Sequence, residues 1–194
     1  MMKKVWRGVF GLGLALGISA LPTAAMLSDT AGITVRLDGS ANTFDIVVSG
    51  SGAPGWIPDP TEWEQGDAIP FSLPGSSLAP GGAAQFRIAV KNASKLAGRI
   101  SMKVADGDPK GAAVNPAGRF VELFDQLDFT VKSDGRTLVD HTPGTAVGTV
   151  GEPFELGPGE YRVFDVTLGL PEELDNRWMD ARTDVLFRFE GVSQ

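Results

Sequence analysis

The chain contains no cysteine. Disulfides, thiolate catalysis and cysteine-ligated zinc are therefore excluded, and stability has to come from core packing and strand pairing. It carries one histidine, His141, so the two-histidine zinc motifs cannot be built, and no H-E-x-x-H occurs. Positive charge is the scarcer sign: 17 basic against 24 acidic residues give a formal charge of −7. Lys3, Lys4 and Arg7 precede the first acid, so a chain starting near Met26 carries about −10. Such a surface repels phosphate backbones and anionic headgroups, which argues against a nucleic-acid partner. No long segment beyond the amino terminus repeats apolar residues at i, i+3, i+4 and i+7, which excludes a helical bundle.

What is present is glycine and proline, 25 and 13 of 194 residues, with 42% hydrophobic and 21% charged residues. That composition buries a core and suits many short strands joined by tight turns. The first eight residues carry Lys3, Lys4 and Arg7, Val9 to Leu21 is uncharged and apolar, and Thr23-Ala24-Ala25 is small. This order is that of a secretory signal, and the apolar run is short for a membrane span of about 20 residues. Residues 1–25 are thus expected to be a signal peptide cut beside Ala24 and Ala25. Residues 26–194 follow as one domain, secreted or held at a bacterial cell surface, with no stable membrane insertion after cleavage.

Strand signals recur through the rest. Ile33, Val35 and Leu37 alternate, and 43–49 is rich in β-formers. In 84–91, Phe86, Ile88 and Val90 share one face opposite Arg87 and Lys91. In 98–105, Ile100, Met102 and Val104 oppose Arg99, Ser101 and Lys103. Period two with a charged outer face marks half-buried strands. Asn92 to Lys95 between them reads as a hairpin connection, and the glycosylation-like Asn92-Ala93-Ser94 as a turn. The spacing of Phe120 to Leu127 predicts two helical turns. Asp134-Gly135 predicts a tight hairpin between 129–131 and 137–139. A slip of apolar phase between Val163 and Phe164 suggests a bulge, and Val185, Phe187 and Phe189 give a last strand. The expected fold is all-β, a two-sheet sandwich of about eight or nine strands with one short helix.

Residues that could carry chemistry are few. His141 lies at a hairpin exit, and no Gly-x-Ser-x-Gly elbow accompanies it. The acidic pairs Glu62/Glu64, Asp106/Asp108 and Glu172/Glu173 read as solvated turn residues. Asp106-Gly107-Asp108 offers the hard oxygens calcium takes but lacks the further acids of a calcium loop. No cofactor is expected. Trp56 and Trp63 sit in a proline-rich loop, 50–67, where they either close one end of the sandwich or form a contact surface.

Four stretches in order resemble the TasA/camelysin family of signal-peptidase-W-dependent exported proteins. They are Ala24-Ala25 running into Asp29-Thr30; Gly39 with Phe44-Asp45-Ile46; Leu78-Ala79-Pro80-Gly81-Gly82 leading to Val90-Lys91-Asn92; and Asn176-Arg177-Trp178 leading to Phe187-Arg188-Phe189 and Gln194. The first departs from the family's small–aromatic–Asp pattern at Met26 and Leu27, and Gly82 stands where the family has an acid. The resemblance implies a jelly-roll sandwich and a non-enzymatic subunit of a surface or biofilm-matrix fibre. It implies export through a signal peptidase reading Ala24, Ala25 and Asp29, and self-association with Ile33, Val35 and Leu37 as donor strand. Part of the family is described as a metallopeptidase, but this sequence supplies no zinc constellation to match. A surface adhesin or carbohydrate-binding module using Trp56 and Trp63 is the other alternative.

Overall fold

The computed structural model describes residues 28–31, 44–65, 80–178 and 181–194, the first of these by backbone alone. Eight strands form two antiparallel sheets: β2 (Ile46–Ser51), β3 (Ala83–Asn92), β4 (Gly98–Asp106), β5 (Asp128–Ser133), β6 (Arg136–Pro143), β7 (Phe154–Leu156), β8 (Tyr161–Gly169) and β9 (Val185–Ser193). One sheet has the order β2-β3-β8-β5-β6 and the other β9-β4-β7, with a four-residue strand β1 (Ser28–Ala31) added outside β9. From β2 to β9 the chain changes sheet at five of seven connections, which gives the crossed order of a jelly roll, with β2 as an extra strand beside β3. The expected β-sandwich is thus what forms.

The alternating residues define the core. Phe86, Ile88 and Val90 of β3, Ile100, Met102 and Val104 of β4, Phe129 and Val131 of β5, Phe164, Val166 and Leu168 of β8, and Phe189 of β9 all lie buried in one cluster. Phe164 bridges the two sheets, its ring centroid 5.7 Å from that of Phe189. Each such side chain contributes roughly 1.5–3 kcal/mol on burial.

Three local expectations are corrected. Asn92 to Lys95 is not a hairpin connection, because β3 and β4 lie in different sheets. The cause is Asn92, which is fully buried. Its Nδ2 donates to Leu96 O at 2.7 Å and to Leu156 O, on the other sheet, at 2.9 Å. Its Oδ1 accepts the Ser94 N–H at 2.9 Å, and its backbone bonds Glu160 O and the Gly159 N–H. The amide is fully used, and it draws the chain across the sandwich instead of back along its own sheet.

The helix expected over 120–127 is a single 3-10 turn, Phe124–Gln126. The Glu122 carboxylate takes the N–H groups of Leu123 and Phe124 at 2.7 and 2.9 Å. Leu127 N–H then bonds Phe124 O in the tighter i→i+3 pattern. Leu123, Phe124 and Leu127 are spaced to close the core, not to line a helix. The bulge expected in β8 is absent, since β8 pairs with β3 without a shift from Tyr161 to Gly169. Val163 points outward and is half-buried there. The irregular pairing falls between β5 and β6, beyond a hairpin whose Asp134 (φ 51°) and Gly135 (φ 72°) adopt the positive φ the sequence predicted.

A second packing device joins the sheets. Gly98 of β4 and Gly191 of β9 are diagonal neighbours on the inner face, and a Cβ at either would collide with the Phe44 ring. Phe44, just ahead of β2 and 3% exposed, therefore fills a notch that only two glycines leave open. Gly191→Ala is expected to lower stability by about 1–3 kcal/mol through overpacking. In urea melts, Phe44→Leu should recover part of that loss in the double variant, giving a coupling absent for a distant core pair. Asn92→Ala removes the amide donor to Leu156 O and Leu96 O and the acceptor of the Ser94 N–H, and should cost about 2–4 kcal/mol, measured in the same way.

Candidate functional site

Three regions outside the core merit a functional reading: the sheet borders, the tryptophan loop and an acidic end.

The borders are treated unequally. β2 is met at Val48 by the returning loop, whose Glu64 exchanges two backbone hydrogen bonds with it, both 2.9 Å. Along β4, β7 covers Gly98 to Ile100. Gly148 O and the Val150 N–H then take over at Val104 and Met102, at 2.8 and 2.9 Å. β6 is broken by register shifts against β5, holds His141 at φ 40° and ends at Pro143, features that blunt an edge against further pairing. β9 has regular backbone through nine residues. Its outer side is met by Ser28–Ala31 at Val192 to Phe189. Among the described residues, no strand pairs with Val185 to Arg188 on that side.

The tryptophan loop lies across the outer face of the five-stranded sheet. The register sets Lys91 opposite Tyr161, Ala89 opposite Val163 and Arg87 opposite Asp165. Trp63 packs on this row, its ring 5.8 Å from that of Tyr161 and with Lys91 Nζ 5.5 Å from its centroid. Arg87 Nη1 donates to Trp56 O at 3.0 Å and Arg87 Nε to Asp165 at 2.5 Å. Trp56 Nε1 donates to Glu62 at 3.1 Å, and the Thr61 hydroxyl and N–H hold the Asp59 carboxyl below its usual range. The cover leaves Ala89 and Val47 buried on the outer face, whereas Ile57, at 70% exposure, and Tyr161, at 49%, stay in solvent. Both tryptophans are half-buried on a sheet face. Tyr161 and Lys91 were not among the sequence candidates, although the outward phase of Lys91 was readable.

The acidic end is where β4 stops and β9 starts. Asp106 accepts the Asp108 N–H at 3.0 Å, and Lys110 Nζ lies 2.6 Å from Asp108 Oδ2. Burial holds the Asp106 carboxyl above its usual range, opposed by the Asp108 N–H and reinforced by the charges of Glu122, Asp125 and Asp108.

Of the other candidates, Asp29 belongs to β1, where its backbone stands opposite Gly191. Ala24, Ala25, Ile33, Val35 and Leu37 lie outside the described residues. His141 is exposed, its Nδ1 3.3 Å from Asp128 Oδ1. Among the described residues, no three Asp, Glu, His or Cys side chains are gathered closely enough to hold a metal ion by themselves. No helix among them is long and apolar enough to cross a membrane, which leaves strand-based insertion unaddressed. The fold and these sites define a jelly-roll-like sandwich with one regular sheet border. In comparison with known proteins, no family model matches the chain and no curated protein matches it.

A carboxyl held above its usual value stabilises the fold only when protonated, and that contribution is lost as pH rises through the raised pKa. Asp106→Asn should therefore raise the melting temperature near neutral pH in metal-free buffer. The gain should fade as pH falls below the ordinary aspartate value of 3.8. Paired thermal melts across that window check it.

Proposed function

We propose that the chain is a secreted, non-enzymatic structural protein, the subunit of a cell-surface or biofilm-matrix fibre that assembles by strand addition. The border of β9 carries this reading. It is nine residues long and pairs with β4 without a register shift, and a short amino-terminal strand occupies four of its positions. The other borders are covered, shortened or bulged. A strand added to such a border gains one backbone hydrogen bond for about each residue paired, and alternate side chains set its register. In the fibre, the segment Met26 to Leu37 of one copy lies along β9 of the next, with Ile33, Val35 and Leu37 as the alternating apolar side chains. The signal peptide directs export, and its removal beside Ala25 frees that segment. The absence of cysteine fits assembly through backbone hydrogen bonds and packing rather than through disulfides.

Mature protein with its amino terminus established by sequencing, examined by size-exclusion chromatography and electron microscopy, provides the test. Filaments or higher oligomers are expected from residues 26–194 and monomers from a chain starting at Asp38. Persistent monomer from both forms under all conditions overturns strand addition.

A further inference from the structure

β2 stands at the edge of its sheet and is protected by means unlike those at the other borders. The strand itself, Ile46-Val47-Val48-Ser49-Gly50-Ser51, carries no charge and no proline and opens with three β-branched residues. It pairs with β3 from end to end without a register shift. A short, uncharged, β-rich segment at a sheet edge is a template for another strand. Edges are ordinarily blunted by charge, proline or a bulge, and β6 has the last two in Pro143 and its register shifts. β2 has none of these in its own sequence. Its protection is supplied by residues 56–64.

The Val48 N–H and O both bond Glu64, each at 2.9 Å. They form an antiparallel bridge, so this border of β2 is already set for strand pairing, and alternation aims the Gly50 N–H the same way. The residues ahead of Glu64 are fastened to the sheet face. Trp63 packs on Tyr161 with Lys91 over its ring, and Arg87 holds Trp56 O while its Nε engages Asp165. Within the loop, Trp56 Nε1 and the Asp59 N–H both donate to Glu62, and the Thr61 N–H and hydroxyl donate to Asp59. These bonds brace the loop as one piece. Beneath it, Val47 and Ala89 point away from the core, yet they are 8% and 0% exposed.

We propose that the tryptophan loop is a guard that keeps β2 from pairing with β2 of a second copy. Lifting it frees the Val48 backbone groups and uncovers Val47 and Ala89 together, so an edge and an apolar strip open at once. The occupant is a second copy because an antiparallel strand pair about a twofold axis is self-complementary, each strand meeting its own sequence reversed. An uncharged strand meets itself without like-charge repulsion, and it offers no charge for an unlike partner to read. The proposal is independent of strand addition along β9, which lies in the other sheet.

The test uses the mature protein carrying Trp63→Ala or Arg87→Gln, neither position belonging to the core cluster. In dilute solution the Val48 amide should exchange its hydrogen at least about tenfold faster in these variants than in the wild type. At rising concentration the variants should sediment with added dimer, and the Val48 amide should regain protection as that dimer forms. Gly50→Pro, which removes an N–H on this border alone, should abolish the added dimer. In the wild-type background the same change should leave any assembly along β9 as it was, which separates the two surfaces. Should Trp63→Ala fail to fold, Arg87→Gln carries the test. Unchanged Val48 exchange in the folded variants, opening at Val48 with no added dimer, or added association that neither protects Val48 nor responds to Gly50→Pro overturns the proposal.

Discussion

The amide of Asn92 is the interaction on which the architecture turns. A jelly roll requires its chain to leave one sheet and enter the other, and each crossing takes backbone polar groups through the protein's interior. At the β3–β4 crossing those groups are met by one side chain, which donates to Leu96 O in the crossing segment and Leu156 O in the facing sheet and accepts from Ser94. The low dielectric of the interior strengthens such a set when it is complete and makes an incomplete one costly. In a chain without cysteine, this buried amide ties the sheets at one end of the sandwich, as a cross-sheet disulfide does in disulfide-bonded domains. The Phe44 ring in its glycine notch supplements it by packing, and the Arg162 guanidinium closes the same side. Arg162 bonds the Ser133 hydroxyl at 2.9 Å and sits 4.6 Å over the Phe154 ring.

The outer surfaces follow from how each sheet deals with unpaired strand. Covering the outer face of β2 and β3 with the tryptophan loop protects apolar residues there and also fills part of the β2 border through Glu64. The bulged β6, with positive φ at His141, cannot offer a regular ladder. What remains regular is β9, the strand that the amino-terminal segment meets. The proposed fibre assembly uses the backbone groups of that strand.

Much of the core was legible in the sequence. The alternation in 84–91 and 98–105 assigned Phe86, Ile88, Val90, Ile100, Met102 and Val104 to the interior, and the turn at Asp134-Gly135 followed from the tolerance of those residues for positive φ. The helix over 120–127 was misread because Leu123, Phe124 and Leu127 carry a helical spacing that a core-closing turn also satisfies. The phase slip at Val163 resembled a bulge because a face covered by a distant loop is apolar for reasons that local periodicity cannot express. Of the site residues, Val185, Phe187 and Phe189 made β9 visible as a strand in the sequence. That its border stays regular was not, because the segments that cover or break the other borders meet them only in the folded chain.

By itself the sequence determined the class of fold, the inward face of the main strands and the exclusion of cysteine chemistry, because those rest on composition and on the two-residue period of a strand. Tertiary structure alone decided which sheet each strand joins, which border stays regular, and which acids share an end of the molecule. Alternation tells a side chain in from out but carries no label for the neighbour it will meet. That neighbour is chosen by buried groups such as Asn92, Gly98 and Gly191, whose requirements exist only once the sheets face one another.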